Sequence, residues 1–180
     1  MRPRPGRFWS NGGVPEISPF LVGVLLVAYL PPAVVLSWVD GAEHRLPNRW
    51  VGALTAAVGA ALLVLGMLLP PLRADLRVAA VLAIVLGLSA IVVALFAPMV
   101  LGMGDAKTLP VVVLMSGSFG GEVLIAALLG VALLSGALGV LVMAVTRRSG
   151  VRFALGPVLL SGPFLGLLGA PLVRAALGGL

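Results

Sequence analysis

An all-α bundle of about six membrane-crossing helices is what this sequence predicts, and three observations predict it. Of the 180 residues 61% are hydrophobic and only 10% charged, where a soluble domain carries about a quarter charged. The apolar residues fall into runs near the ~20 residues that a hydrocarbon core demands of a helix. No alternating strand pattern occurs, and backbone that crosses lipid must pair within its own segment, which leaves the helix. The runs fill residues 19–180 as a single transmembrane domain with no room for a separate soluble one. Residues 1–18, with Arg2, Arg4 and Arg7, form a basic N-terminal tail.

The first span runs over Pro19–Val39. It is too long for the apolar core of a signal peptide, and no small-residue cleavage site follows, so it reads as a retained helix. Pro31-Pro32 lack two N–H donors and predict a kink. The second span, Trp50–Leu69, stops at Pro70-Pro71. The third covers Leu76–Pro98. The fourth starts near Asp105 or Lys107, reaches Phe119 and is short. The fifth, Glu122–Val145, is stopped by Arg147-Arg148, and the sixth, Gly156–Leu177, opens at Gly156-Pro157. Small residues inside the spans, such as Gly59-Ala60-Ala61 and Gly136-Ala137, permit close helix approach. Trp9, Trp38 and Trp50 read as an interfacial belt. Met99, Met103 and Met115 read as packing, and His44 as a solvated loop residue. Asp75 between Arg73 and Arg77 also reads as a solvated loop, and Glu122 as the cap of the fifth span.

Composition narrows the chemistry. The chain has no cysteine, hence no disulfide framework, thiol nucleophile or cysteine metal site. One histidine falls short of the ligands a zinc site needs, and no cofactor is expected. The net charge of +6 lies on short loops and tails, which points to topology and a lipid-bilayer surface rather than nucleic acid. Eleven arginines against one lysine, with abundant Ala, Gly and Leu, fit a GC-rich bacterial genome.

Against this background Gly102-Met103-Gly104-Asp105-Ala106-Lys107 stands out, because charges at membrane depth or at its rim are costly and by default mark function. Asp40 ends the first apolar run and leads into Glu43-His44-Arg45-Leu46-Pro47-Asn48. Two spans separate Asp40 from Asp105, so both fall on one face of the membrane. That parity fits an aspartic protease. Water attacks a peptide bond when one group takes its proton and another protonates the leaving amine, and two neighbouring carboxylates sharing a proton do both. Helix-end placement makes Asp105, at a helix N-terminus, the expected initial base and Asp40, at a C-terminus, the initial acid. Lys107 is a candidate to stabilise the ionised form or orient substrate, or else a topology-setting charge. Gly102 and Gly104 would let backbone approach an extended peptide, and Pro47-Asn48 would shape the turn before the second span. Arg45, Arg49, Lys107, Arg147, Arg148 and Arg152 share the aspartate face. Arg2, Arg4, Arg7, Arg73, Arg77 and Arg174 lie on the other, so positive charge alone leaves the orientation tied.

At these residues the chain resembles the type IV prepilin peptidases, membrane aspartic proteases that cleave pilin-like precursors. Asp40 followed by Leu46-Pro47-Asn48 is similar to the family's first catalytic aspartate with its downstream Pro-Asn element. Gly102-x-Gly104-Asp105-x-Lys107 is similar to its GxGDxK, and Leu155-Gly156-Pro157-x-Leu159-x-x-Gly162 to a C-terminal Phe-Gly-Pro-x-Leu-x-x-Gly, with leucine replacing phenylalanine. The match covers most of 36–165. The resemblance implies Asp40 and Asp105 as the catalytic pair, supported by Gly102, Gly104, Lys107, Pro47 and Asn48. It further implies prepilin-like or Flp-type precursors as substrates and a bacterial inner membrane with the site at the cytoplasmic face. The cysteine-bearing insert and methyltransferase domain of bifunctional members are missing, so the likeness is to short, peptidase-only members. Two other readings stay open at this point: a small proton-coupled transporter using the two aspartates as proton carriers, and a non-catalytic pilus or secretion assembly subunit. The oligomeric state is not readable from the sequence.

Overall fold

The computed structural model describes residues 18–43, 48–97, 101–147 and 155–178, and every element among them is helical. The first rod joins α1 (Pro19–Val24) to α2 (Leu30–Glu43) through a π-helical turn, Leu25–Tyr29. The turn has a local cause. Pro31 and Pro32 cannot donate to the carbonyls four residues back, and their rings crowd those carbonyls. The chain widens one turn earlier, so that the Leu30 N–H bonds to the Leu25 carbonyl, five residues back. The disruption expected at the proline pair thus takes the form of a π turn inside a continuous rod.

Helix α3 (Asn48–Leu68) breaks at Leu69, and a 3₁₀ turn over Pro70–Leu72 leads into α4 (Arg73–Phe96). Arg73 folds back to donate from Nε to the Gly66 carbonyl at 2.7 Å and from Nη2 to that of Met67 at 3.0 Å, capping carbonyls that the end of α3 leaves open. The Arg73–Arg77 cluster is therefore the first turn of α4, not a loop, and Asp75 sits where a helix favours negative charge. Helix α5 (Met103–Ser118) turns at Gly120, whose φ of 117° suits glycine, into α6 (Gly121–Thr146). The last expected span divides into α7 (Gly156–Leu160) and α8 (Gly162–Gly178), joined at Ser161, whose carbonyl accepts the N–H groups of Phe164 and Leu165.

Six helical rods thus follow in the expected order among the described residues. Four are long and apolar enough to cross a membrane: Pro19–Gly41, Asn48–Leu68, Pro70–Phe96 and Gly121–Thr146. Helix α5, with 16 residues, and α8, with 17, are shorter than the ~20 residues of a full crossing. No more than a third of each long apolar stretch is buried within the molecule, and Leu63, Val81, Leu88, Leu133 and Val140 point outward. So large an apolar surface calls for lipid around it.

Helix α5 is the axis of the fold. Ala106, Val111, Val112, Val113 and Met115 are buried on several of its sides. Helix α4 packs against it with a stripe of small buried residues, Ala79, Ala83, Gly87, Ala90 and Ala94. Contact is closest at Gly87, where an added Cβ would lie 2.5 Å from Cγ of Pro110. Helices α6 and α8 pack just as tightly, for a Cβ on Gly166 would lie 2.5 Å from the Val123 carbonyl oxygen. The start of α6 is tied to the later part of α8 by Arg174, whose Nε donates to Glu122 Oε2 at 2.7 Å.

Candidate active site

Helix α2 and the π turn before it present one stripe to α7. Tyr29, Ala33, Leu36 and Asp40 follow at spacings of four, three and four, which puts them on one face, and all four are buried. Each end of α7 is held by this stripe. The Tyr29 hydroxyl donates to the Leu160 carbonyl at 2.8 Å, and the Gly156 N–H donates to Asp40 Oδ2 at 3.0 Å. Asp40 is only 7% exposed, and a buried carboxylate demands such a donor. Gly156 also leaves the necessary volume. A Cβ there would lie 2.5 Å from Asp40 Oδ2 and 3.0 Å from its Cγ.

Asp105 occupies the first turn of α5 and is half-buried. Gly102 caps this helix in extended conformation (φ −68°, ψ 145°), and the Asp105 carboxylate folds back over it. A Cβ on Gly102 would lie 3.0 Å from Asp105 Oδ2. Gly102 thus makes room for the aspartate three residues on. Gly104, between them, is a helical residue whose carbonyl lies 3.5 Å from Thr108 Oγ1. Helix α7, whose first residue meets Asp40, packs against α5 as well as α2, and Lys107 of α5 reaches Asn48 at the start of α3, so the two aspartates lie at the same end of the bundle.

Lys107 is held by a neutral partner. Its Nζ donates to Asn48 Oδ1 at 2.9 Å, and the ion pair present among the described residues is Arg174–Glu122. Lys107 therefore does not neutralise either aspartate by direct contact. It links the start of α3 to the start of α5, so the Pro-Asn and GxGDxK elements, 59 residues apart, touch through side chains. Pro47 and His44 lie outside the described residues. The division of roles by helix ends also falls away, because Asp40, though at the end of α2, meets the first N–H of α7, and both aspartates thus face the start of a helix.

Two open grooves flank this end. One, of about 500 Å³, runs along α3 from Asn48 and Lys107 past Val51, Gly52, Thr55 and Ala56. The other, of about 440 Å³, lies between α2 and the α7–α8 pair, lined by Ala33, Ser37, Trp38, Leu160 and Phe164 among others. Of its lining residues, Ser37 precedes Asp40 by about one helical turn. Trp38 and Trp50, both strongly exposed, sit within two residues of Asp40 and Asn48. That is where tryptophans of a membrane–water boundary belong.

Two features of this arrangement escape a reading of the sequence: Tyr29, and the role of the Gly156 N–H within its Gly-Pro element. The spacing of Tyr29 to Asp40 is visible there. The pairing of Gly156 with Asp40 spans 116 residues, and no local pattern encodes it. Comparison of the chain with protein-family models, with characterised proteins and with solved structures gives no match.

Proposed function

We propose that this protein is a membrane-embedded aspartic endopeptidase of the prepilin peptidase type, which removes the leader from prepilin-like or Flp-type precursors. One observation carries the reading: Asp40 and Asp105, 65 positions apart in the chain, lie at the same end of the bundle, the first at the end of α2 against the start of α7 and the second in the first turn of α5. The contact between Asn48 and Lys107 and that between Gly156 and Asp40 join all three motif elements at the same place. A transporter would need carboxylates along a path open to both faces. Here they sit together at a rim marked by Trp38 and Trp50. On this reading the aspartate end faces the bacterial cytoplasm.

The chemistry follows from the pair. One carboxylate accepts a proton from water as the water oxygen attacks the scissile carbonyl carbon. The other, protonated, donates to the carbonyl oxygen. The tetrahedral gem-diol then collapses: the leaving nitrogen takes a proton from the first group, the second group takes one back from a gem-diol hydroxyl as the C=O bond reforms, and the C–N bond breaks. The substrate's apolar helix lies along a flanking groove with its leader junction at the carboxylates.

Asp40→Asn and Asp105→Asn test the reading in membranes co-expressing a prepilin, with leader removal read by gel shift. In Asp40→Asn the side-chain amide oxygen can still accept from the Gly156 N–H, so protein levels should match wild type while cleavage is lost in both variants. Cleavage that survives in Asp40→Asn would reduce Asp40 to a structural cap for α7 and overturn the proposal; survival in Asp105→Asn would do the same for the pair.

A further inference from the structure

Gly156 has three properties that no packing role requires together. It is buried. Its N–H gives Asp40 a hydrogen bond of 3.0 Å, from a different helix and 116 residues away. Its missing side chain is the volume the carboxylate fills, since a Cβ would come within 2.5, 3.0 and 3.3 Å of Asp40 Oδ2, Cγ and Cβ. The first is closer than Cβ atoms approach other groups and the other two are tight, and all three contacts are to the short aspartate side chain, which is anchored on α2 and has little freedom to swing away. The next residue, Pro157, has no N–H, and Leu159 already donates to the Leu155 carbonyl. The first turn of α7 thus directs the Gly156 N–H to Asp40.

We propose that Gly156 is a positioning residue for Asp40: its N–H holds Oδ2 and its lack of a side chain sets how far the carboxylate reaches, leaving Oδ1 to exchange the reacting proton. This rests on the peptidase reading. Gly102 provides a milder counterpart at Asp105. A Cβ there would meet one carboxylate oxygen at 3.0 Å, a contact that a small side-chain rotation relieves.

The geometry therefore ranks two variants. With purified protein and a synthetic peptide spanning a prepilin leader junction and its apolar segment, Gly156→Ala should lower kcat on the order of 100-fold, the scale of a misplacement near 1 Å. KM should stay unchanged, because Gly156 does not line the grooves. Gly102→Ala should lose less. A Gly156→Ala enzyme with wild-type kcat, or one impaired through KM alone, would overturn the assignment, as would Gly102→Ala losing more than Gly156→Ala. A second measurement needs neither glycine variant to fold nor any substrate. In the otherwise native chain labelled with ¹⁵N-glycine, the Gly156 amide proton should resonate downfield and move upfield in Asp40→Asn, where a neutral amide replaces the carboxylate. An amide shift indifferent to Asp40 would refute the contact. Failure of wild type to cleave any prepilin would instead remove the peptidase reading, and the amide shift would still report on the contact.

Discussion

Tyr29→Phe isolates a single hydroxyl. Tyr29 is fully buried, and its ring packs beside Phe164 with centroids 6.3 Å apart at 54°, a contact phenylalanine keeps. The substitution removes only the 2.8 Å hydrogen bond to the Leu160 carbonyl. That carbonyl ends α7, where helical partners are missing, so the variant leaves it buried without its donor. An unsatisfied buried acceptor costs about 1–3 kcal/mol. Because α7 is still held at Gly156, a loss of about 1–2 kcal/mol is expected, or roughly 5–30-fold in the ratio of folded to unfolded protein. Unfolding in mixed micelles of rising SDS fraction, followed by tryptophan fluorescence, measures it. The cleavage rate should fall less than in Gly156→Ala, because the Asp40 contact survives. A folding midpoint equal to wild type would refute the reasoning, showing that Tyr29 does not anchor α7.

Three other outcomes follow from the packing and the charges. Lys107→Met and Asn48→Ala should each weaken cleavage modestly, and their double mutant should show a coupling of about 0.5–1.5 kcal/mol in stability; additive effects would separate the two side chains. Gly87→Ala should destabilise the α4–α5 interface by about 1–3 kcal/mol through overpacking, because the new methyl meets the Pro110 ring, and SDS unfolding reads this directly. Glu122→Gln should leave cleavage intact and cost under about 1 kcal/mol, falling further at high salt, as suits a partly exposed ion pair; a large loss of activity would connect that end of the bundle to the site.

The parts of the fold set by short-range pattern are legible in the sequence. The apolar runs give the rods and their order, and two intervening spans put both aspartates on one face. What the sequence hides is long-range. Helix α5 carries little amphipathic signal because it is apolar on several sides, which is the pattern of a helix at the centre of a bundle; its shortness is visible, its centrality is not. The prolines at 31 and 32 announce a disruption, but whether the rod bends or widens into a π turn depends on its neighbours. Asp75 and its arginines resemble a loop when charge is weighed above the preceding prolines, which start a helix well. Lys107 invites pairing with its sequence neighbour Asp105, two positions away. On a helix such a pair does not share a face, and the amine reaches Asn48 instead.

The two ends of the bundle treat their carboxylates differently. At one end Glu122 meets Arg174, and its charge is compensated by a second charge in direct contact. At the other end Asp40 is the more deeply buried of these groups, yet it receives a backbone N–H, and Asp105 lies over the glycine that caps its own helix. Among the described residues neither is ion-paired. A carboxylate locked to a guanidinium holds its helices together but cannot pass a proton back and forth without breaking that pair. A carboxylate steadied by backbone dipoles can be held in place and still exchange its proton. Gly102 and Gly156 leave room for the two acids at the starts of α5 and α7, whereas Glu122, which also follows glycines at the start of α6, is held by an arginine.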